Sequence, residues 1–497
     1  MKSVGAEQGS TAVRANHGAA AAQETIAAIS TPPGRGGIGI VRLSGTEARN
    51  IAERIVRAER PLEAGRARFV VVLDPDDVGA RTPPRVLDEA VVTYFKAPQS
   101  YTGEDVVEIA AHGSPVVLES ILREMLRQGA RLADPGEFTQ RAFLAGRLDL
   151  TQAEAVHELI SATTLHQARV AASQMSGAIA VAVAPAKQRL VDLIALLEAG
   201  IDFAEDDLDV APVGHIELEL EQIARPLQRL AASFSYGRIL REGFTLAIVG
   251  QPNAGKSSLF NALLERDRAI VTATPGTTRD AITERLSFDG IPVEVTDTAG
   301  LRESVNEAES LGIARARAHL AEADLVLLVI DLTRELSPED LAILQRETAP
   351  DTEPNQTHQQ EQRRLLVVAN KVDAFTTKPE LDSAMASLCT IAARSVVAVS
   401  ALTGEGLPAL RTAIHTKLTQ ELPDQDTAII TSLRQHVALT SATNSLAAAH
   451  TALRLALPQE ILLLDLHSAL AALDDLTGAT TADDILHRIF STFCIGK

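Results

Sequence analysis

The stretch Gly250-Gln-Pro-Asn-Ala-Gly-Lys-Ser257 has the spacing G-x-x-x-x-G-K-S. Glycines at this spacing let backbone N–H groups turn inward around phosphate oxygens. Lys256 adds a point charge at the β- and γ-phosphates, and the Ser257 hydroxyl is placed to hold Mg²⁺. Asn253, Ala254, Gly255, Lys256, Ser257 and Ser258 are therefore the expected phosphate contacts. Further on, Asp297-Thr-Ala-Gly300 sets an Asp at a strand end, where it can hold Mg²⁺ through water. Gly300 leaves a backbone N–H for the γ-phosphate, so Asp297, Thr298, Ala299 and Gly300 join the expected contacts. Asn370-Lys-Val-Asp373 completes the set. The Asp373 carboxylate can accept from guanine N1–H and N2–H. Adenine offers neither donor on that edge, and a buried carboxylate left unpaired would reject it.

Each of these motifs must sit on a particular element. Phe244-Thr-Leu-Ala-Ile-Val249 is a short apolar run suited to a buried parallel strand, and Ser257 to Leu264 has helical spacing without a breaker. Pro292 to Asp297 and Leu365 to Ala369 read as two more strands, each running into a motif. One such motif could arise by chance in a chain of 497 residues. Three in order, each after an apolar strand, imply a GTPase domain, expected over Glu242 to Leu422. The polar stretch from Asp351 to Arg364 inside it reads as a disordered surface insertion.

The length points to about three domains. Hydrophobic residues make up 46%, aromatics only 3%, and Trp is absent, so the cores are built from Ala, Val, Leu and Ile. A formal net charge of −19 argues against a broad nucleic-acid-gripping face. No apolar run approaches the ~20 residues of a membrane helix, and no membrane partner is expected. Residues 1–23 lack the apolar core of a secretory signal and read as a disordered tail. Two cysteines, Cys389 and Cys494, exclude a disulfide framework and suit a reducing cytoplasm.

From Glu24 to Arg147 the signals are mixed α/β. Strands are expected at Thr25–Ile29, Ile38–Leu43, Glu89–Phe95 and Asp105–Ala110, with a helix at Glu47–Ala58. Thr151-Gln-Ala-Glu154 reads as a capping box opening a helical, Ala- and Leu-rich stretch to Arg241. The acidic run Asp202 to Asp209 inside it reads as a solvated loop. Helical texture returns after Pro423, where Ser432-Leu-Arg-Gln435 offers a second capping box. One helical domain interrupted by an inserted GTPase domain is the simplest arrangement. The parts are thus 1–23, 24–147, 148–241, 242–422 and 423–497. The C-terminal Phe493-Cys-Ile-Gly-Lys497 does not fit a lipidation signal, because Gly496 is not aliphatic and Lys497 is an atypical last residue. Thr481 to Asp484 can cap a helix, with an apolar face at Ile485, Ile489 and Phe490, that aims this tail.

Several stretches together carry a family likeness. They are Thr31-Pro-Pro-Gly-Arg-Gly-Gly37, Tyr101-Thr-Gly-Glu-Asp105, Pro135-Gly-Glu-Phe138, Arg141-Ala-Phe143, Leu148 to Glu154, Gly276-Thr-Thr-Arg-Asp280, Asp297 to Arg302 and the final Phe493-Cys-Ile-Gly-Lys497. With the P-loop they make the chain resemble the tRNA modification GTPase MnmE (TrmE) family from Glu24 onward. The resemblance implies a multidomain α/β plus all-α fold. Its parts are an N-terminal α/β folate-binding-like domain, a helical domain, and an inserted P-loop GTPase domain with a Ras-like doubly wound sheet. It implies a bacterial cytoplasmic homodimer that joins a flavoprotein, MnmG (GidA), in a heterotetramer. Such complexes build an aminomethyl or carboxymethylaminomethyl group on the wobble uridine of certain tRNAs, using a one-carbon unit from 5-formyl- or methylene-tetrahydrofolate.

Residue by residue, the resemblance assigns folate contacts to Arg42, Glu108, Arg147 and Lys497. Arg147 departs from the family's usual lysine. For hydrolysis, Leu301 follows Gly300 where the commonest small GTPases have a water-orienting Gln. The family uses K⁺ instead, which assigns Asn253, Thr272, Thr274 and Thr277 to K⁺ and Thr278, with Ser257, to Mg²⁺. A cation near the β–γ bridge neutralises charge that grows during phosphoryl transfer. Thr272, Thr277 and Thr278 are also nucleotide contacts, and Glu309 is the catalytic residue that orients water. Ser400-Ala401 reads the base, although Leu402 replaces the family's lysine there. Cys494 is the second catalytic residue, needed for modification but not for GTP turnover. A rival reading, a regulatory GTP-binding switch such as one in ribosome assembly, shares the same nucleotide motifs. A folate-dependent transferase without GTPase activity conflicts with them.

Overall fold

The computed structural model describes residues 24–74, 85–202, 212–267, 283–288, 290–297, 323–338, 340–341, 344, 364–392, 396–419, 428–479, 486 and 489–496. The expected N-terminal tail, most of the acidic run, the polar insertion before Arg364 and the cap at Thr481 to Asp484 lie outside the described residues. Contacts gather the chain into two units. One comprises residues 1–157, 175–180 and 470–497, the other 158–174 and 181–469.

The first unit is built on a seven-stranded sheet, in the order β3-β4-β5-β6-β2-β1-β7. Its strands are β1 (Ile26–Ile29), β2 (Gly39–Ser44), β3 (Val56–Arg57), β4 (Ala67–Leu73), β5 (Val86–Phe95), β6 (Val106–Ala111) and β7 (Arg131–Leu132). Alternate residues face opposite sides, as the two-residue strand period requires. Ala27, Val41, Leu43, Val92 and Ile109 pack against helices α1 (Ala48–Ile55) and α2 (Pro115–Arg127) through Ile51, Ile121 and Met125. On the other face Ile26 and Ala28 meet Ala133 and Phe138, the latter from α3 (Glu137–Leu144). Arg42 and Glu108 are register partners on that second face.

The helix expected over Glu47–Ala58 is shorter than its apolar spacing suggested. It ends at Ile55, because buried, β-branched Val56 turns extended and pairs with Val72. Helix α3 carries charge into the interior. Arg141 bonds both Glu104 and Glu137, and Arg131 clasps Glu137 from the other side at 2.7 Å. Burial alone would raise the Glu137 carboxyl, but its bonds from Arg131, the Asp134 amide and Arg141 hold it below the ordinary range.

Helix α4 (Leu150–Ser161) is capped two residues before the expected Thr151. Its capping side chain is Asp149, which accepts from the Gln152 amide at 2.8 Å while Gln152 reaches back to the Asp149 amide at 2.9 Å. Thr151 instead donates its hydroxyl to Asp149, since a carboxylate is the stronger acceptor for a helix N-terminus. Helices α5 (Leu165–Met175), α6 (Ala178–Asp202), α7 (Val213–Ala232) and α8 (Phe234–Glu242) follow.

The second unit holds a six-stranded sheet, in the order β13-β12-β11-β8-β10-β9. These are β8 (Phe244–Val249), β9 (Thr283–Phe288), β10 (Ile291–Asp297), β11 (Leu325–Asp331), β12 (Arg364–Asn370) and β13 (Val396–Ala398). All pairs are parallel except β9 with β10. Both faces are covered, which is why β11 is buried at every position. One face meets Leu259 and Leu263 of α9 (Lys256–Asp267) and Leu410 and Ile414 of α11 (Leu407–Thr419). The other meets Leu388 and Ala392 of α10 (Lys378–Ala392).

The chain returns from this sheet through 428–432 into α12 (Leu433–Arg454), followed by α13 (Gln459–Thr477). A Cβ on Gly237 would strike the Ile430 carbonyl, so the glycine lets the return segment cross α8 in close contact. Gln174 donates to Ile429 O at 2.6 Å, and Ser233 accepts from the Ile430 amide. The second expected capping box does not form as written: Ser432 occupies the extended N-cap position but makes no side-chain cap bond. α12 packs along α7, and Ala442 and Ala449 of the first and Leu220 and Ile223 of the second are buried.

Candidate functional site

The nucleotide motifs converge at the C-terminal ends of the central strands. β8 is flanked by β11 on one side and β10 on the other, so the strand order reverses at it. Open α/β sheets bind ligands at such switch points. The loop after β8 carries the glycine motif. Gly250 (φ 144) lies so close to Val329 O that a Cβ would collide with it. Asn253 is a non-glycine residue in the left-handed region, φ 65, with its side chain exposed. Asparagine tolerates that conformation better than most residues. Lys256 is buried and rests its ammonium on Gln251 O at 2.9 Å. Ser257 and Ser258 are exposed in the first turn of α9.

Asn370 joins this loop to two others. Its amide nitrogen donates to Ala254 O at 2.8 Å, and its amide oxygen accepts from the Ala401 amide at 3.0 Å. Gly255 leaves room for the Asn370 amide where any Cβ would collide. Lys371 follows in the left-handed region, φ 69, and a 3₁₀ turn at Val372–Ala374 then presents Asp373 exposed. Ser400 is fully buried and holds its loop by accepting from the Thr403 amide, while Leu402 projects into solvent at 85% exposure. Leucine there can offer no polar contact to a base. The structure thus brings together Asn253, Ala254, Gly255, Lys256, Ser257, Asn370, Lys371, Asp373, Ser400 and Ala401. Asp297 ends β10 in register with Ile248 at the end of β8. Thr272, Thr274, Thr277, Thr278, Thr298, Ala299, Gly300 and Glu309 lie outside the described residues.

Sequence reading missed Asp331. It ends β11 in register with Asn370 and accepts the Lys371 ammonium at 2.7 Å. Burial pushes its carboxyl up, but the Lys371 and Thr333 bonds prevail and hold it below the ordinary range. An apolar strand ending in Asp was the available signal, without a partner to give it meaning.

A second constellation lies in the first unit. Arg42 donates to Glu108 at 2.9 and 2.7 Å, and its guanidinium lies over the rings of Tyr101 and Phe138 at 5.7 and 5.5 Å. The pair is partly exposed, at 17% and 26%. Arg147 donates to Pro98 O, on the loop that carries Tyr101. Lys497 lies outside the described residues, but the residues just before it are fixed. Ile495 bridges Pro135, the Gly136 amide reaches Cys494 O at 3.5 Å, and Ser30 donates to Gly496 O at 3.0 Å. Phe490 and Phe493 are buried with Phe143, Leu150 and Ala153, while Cys494 is exposed. The thiol therefore sits on an anchored segment and not on a frayed end.

The residues present fit the groups that the resemblance implies. An exposed asparagine on a left-handed P-loop suits a monovalent cation, and the Ser257 hydroxyl at the start of α9 suits Mg²⁺. An arginine–carboxylate pair beside two rings suits a flat heterocycle that carries donors and acceptors. Among the described residues no group of three His, Cys, Asp or Glu could hold a metal, and no helix is long and apolar enough to cross a membrane.

Two family descriptions match the chain: the GTP-binding protein TrmE N-terminus over residues 25–147 and the MnmE helical domain over residues 150–494. A tRNA modification GTPase MnmE of Koribacter versatilis is 49% identical over 477 residues, covering 95% of this chain and 99% of that protein. Another, of Aquifex aeolicus, is 41% identical over 476 residues, covering 96% of this chain and all of that protein. A solved structure of Aquifex aeolicus Era is 26% identical over 40% of this chain and 66% of that one, at a TM-score of 0.28.

Proposed function

From the premise that this chain belongs to the tRNA modification GTPase MnmE family, we propose that it couples GTP hydrolysis to modification of the wobble uridine of certain tRNAs. The chain is a GTP hydrolase of tRNA modification. The finer reading is a homodimer that works with a flavoprotein partner, in the cytoplasm, and adds an aminomethyl or carboxymethylaminomethyl group from a folate one-carbon unit. The observation that supports the GTPase part of the proposal is the Asn370 side chain, which ties the phosphate loop to the Ser400–Ala401 loop beside Asp373.

In this reading Lys256 stabilises charge on the β- and γ-phosphates, and Ser257 with Thr278 holds Mg²⁺. Glu309 orients the attacking water. Asn253 and the segment with Thr272, Thr274 and Thr277 would hold K⁺, which would supply the positive charge that an arginine finger supplies elsewhere. Asp373 selects guanine. In the first unit Arg42, Glu108, Arg147 and Lys497 bind the folate, and Cys494 takes part in the modification. What supports that reading is that the Arg42–Glu108 pair and the exposed Cys494, on an anchored segment, belong to the same unit.

The test is nucleoside analysis of tRNA from a strain lacking this gene, with and without the gene restored. Wobble uridines should lose their modification and regain it on complementation. Unchanged wobble uridines would leave the regulatory-switch reading in its place.

A further inference from the structure

Lys371 follows Asn370, which joins the Ala254 and Ala401 loops, and its own ammonium meets Asp331 on the neighbouring strand. The loop it belongs to leaves β12 through a residue in the left-handed region, φ 69 and ψ 35. A non-glycine side chain holds that conformation only when its surroundings impose it. Here the constraint comes from the neighbouring strand. Asp331 ends β11 at the register position of Asn370, and the Leu332 amide donates to Asn370 O at 3.1 Å. The Asp331 side chain is 8% exposed and divides its two oxygens between separate tasks. Oδ1 accepts from the Thr333 amide and hydroxyl, which fixes the carboxylate. Oδ2 accepts the Lys371 ammonium at 2.7 Å, with the Arg334 guanidinium 3.6 Å away.

The consequence concerns both charge and shape. A lysine beside a phosphate cradle would be drawn to the phosphates, where Lys256 already acts. Held by a buried carboxylate, it stays at the strand end, and its backbone stays in the turn that delivers Asp373. We infer that Asp331 is a positioning residue for guanine recognition, acting through Lys371 to hold the Val372–Ala374 turn so that Asp373 meets the base. The inference rests on Asn370–Asp373 being the base-reading loop.

The experiment measures release of a fluorescent GDP from the full chain by stopped flow, and equilibrium affinities for GDP and IDP. IDP lacks the 2-amino group that would give Asp373 its second bond. Asp331→Asn keeps the side-chain size and an acceptor for Thr333 but removes the ion pair. A charge-assisted bond to a half-exposed lysine corresponds to roughly tenfold faster release. The preference for GDP over IDP should narrow in the same variant, a change that simple loss of stability does not produce. Lys371→Met should match it, and the double variant should be no faster than either single one. Release at the wild-type rate in Asp331→Asn, effects that multiply in the double variant, or an unchanged GDP-to-IDP ratio would overturn the inference. If Asp331→Asn does not fold, Lys371→Met alone decides, and wild-type release in it overturns the proposal. Asp373→Asn separates the premise from the inference. If it leaves GDP affinity intact, the base-reading assignment fails; if it weakens GDP while Asp331→Asn does not, only the role of Asp331 fails.

Discussion

Three loops meet on the side chain of Asn370, and its two ends do opposite work. The NH₂ donates to Ala254 O and the oxygen accepts from the Ala401 amide, across separations of 116 and 31 residues. Asn370→Asp keeps the acceptor but sets a carboxylate against a carbonyl oxygen. Nucleotide affinity should fall by about ten- to a hundredfold, read by equilibrium titration, because a buried acceptor is left unpaired and repelled. Wild-type affinity would mean that the loops hold without the staple. A similar dependence governs Arg141, 7% exposed, which serves Glu104 and Glu137 at once. Arg141→Met should cost about 3 kcal/mol in denaturant unfolding, since removing one partner strands buried charge. A loss near zero would show that Arg131 on Glu137 and the Ser44 hydroxyl, which donates to Glu104 at 2.7 Å, suffice to hold the two carboxylates. At this scale spacing alone named Lys256, Ser257 and Asp373 as candidates, and all three lie in loops or turns at the C-terminal ends of the central strands. Asp331 and Ser30 stayed silent because their partners, Lys371 and Gly496, lie far away in the chain. Spacing encodes local geometry, and it does not say which distant atom a side chain will meet.

Elements were legible where burial and local propensity agree. β8, buried on both faces, matches the apolar run at Phe244–Val249 to the residue. Expected boundaries shifted where a tertiary partner competed, as when Val56 left its helix to pair with Val72. The start of α5 shows what such partners can do. Thr164 donates to Gly290 O at 2.6 Å, in the turn between β9 and β10, and Gln167 donates to Leu240 O at 2.7 Å, near the end of α8. Between them His166 shares a 2.8 Å bond with the Tyr236 hydroxyl. Burial, with help from the Arg169 charge, lowers the His166 pKa from its ordinary 6.5. The unfolded chain therefore binds a proton at a pH where the folded one does not, and stability rises with pH across that window. It is fully present above the ordinary value and declines as pH falls toward the folded one. Melting temperature should drop on acidification from about pH 7.5 to about pH 5.5, and His166→Gln should flatten that part of the profile. Equal slopes in wild type and variant would assign the drop to other groups.

At the scale of the whole molecule, contacts gather the last residues of the chain with the first. Residues 470–497 belong to the unit that holds the N-terminal sheet, while the nucleotide loops belong to the other unit. Composition and periodicity indicated several domains and a helix that aims the tail, but not the atoms that anchor residues 493–496, because the Ser30 hydroxyl, the Gly136 amide and Phe143 lie far away in the chain. Those partners make the tail testable. Ser30 holds Gly496 O, and Gly496, at φ 95, lies so close to Ile29 that a Cβ would sit 2.5 Å from its carbonyl oxygen. Gly496→Ala therefore displaces the tail while keeping the Cys494 thiol in the chain. Cys494→Ser does the reverse, leaving the tail docked and removing only the sulfur. If Cys494 acts chemically from a fixed position, both variants should lose wobble modification and keep GTP turnover near the wild-type rate. The two activities should be measured on the same preparations, with alkylation of Cys494 in Gly496→Ala checking that the thiol is present. Full modification in Cys494→Ser would remove the thiol from the chemistry. Full modification in Gly496→Ala alone would keep the thiol and discard the need for a docked tail.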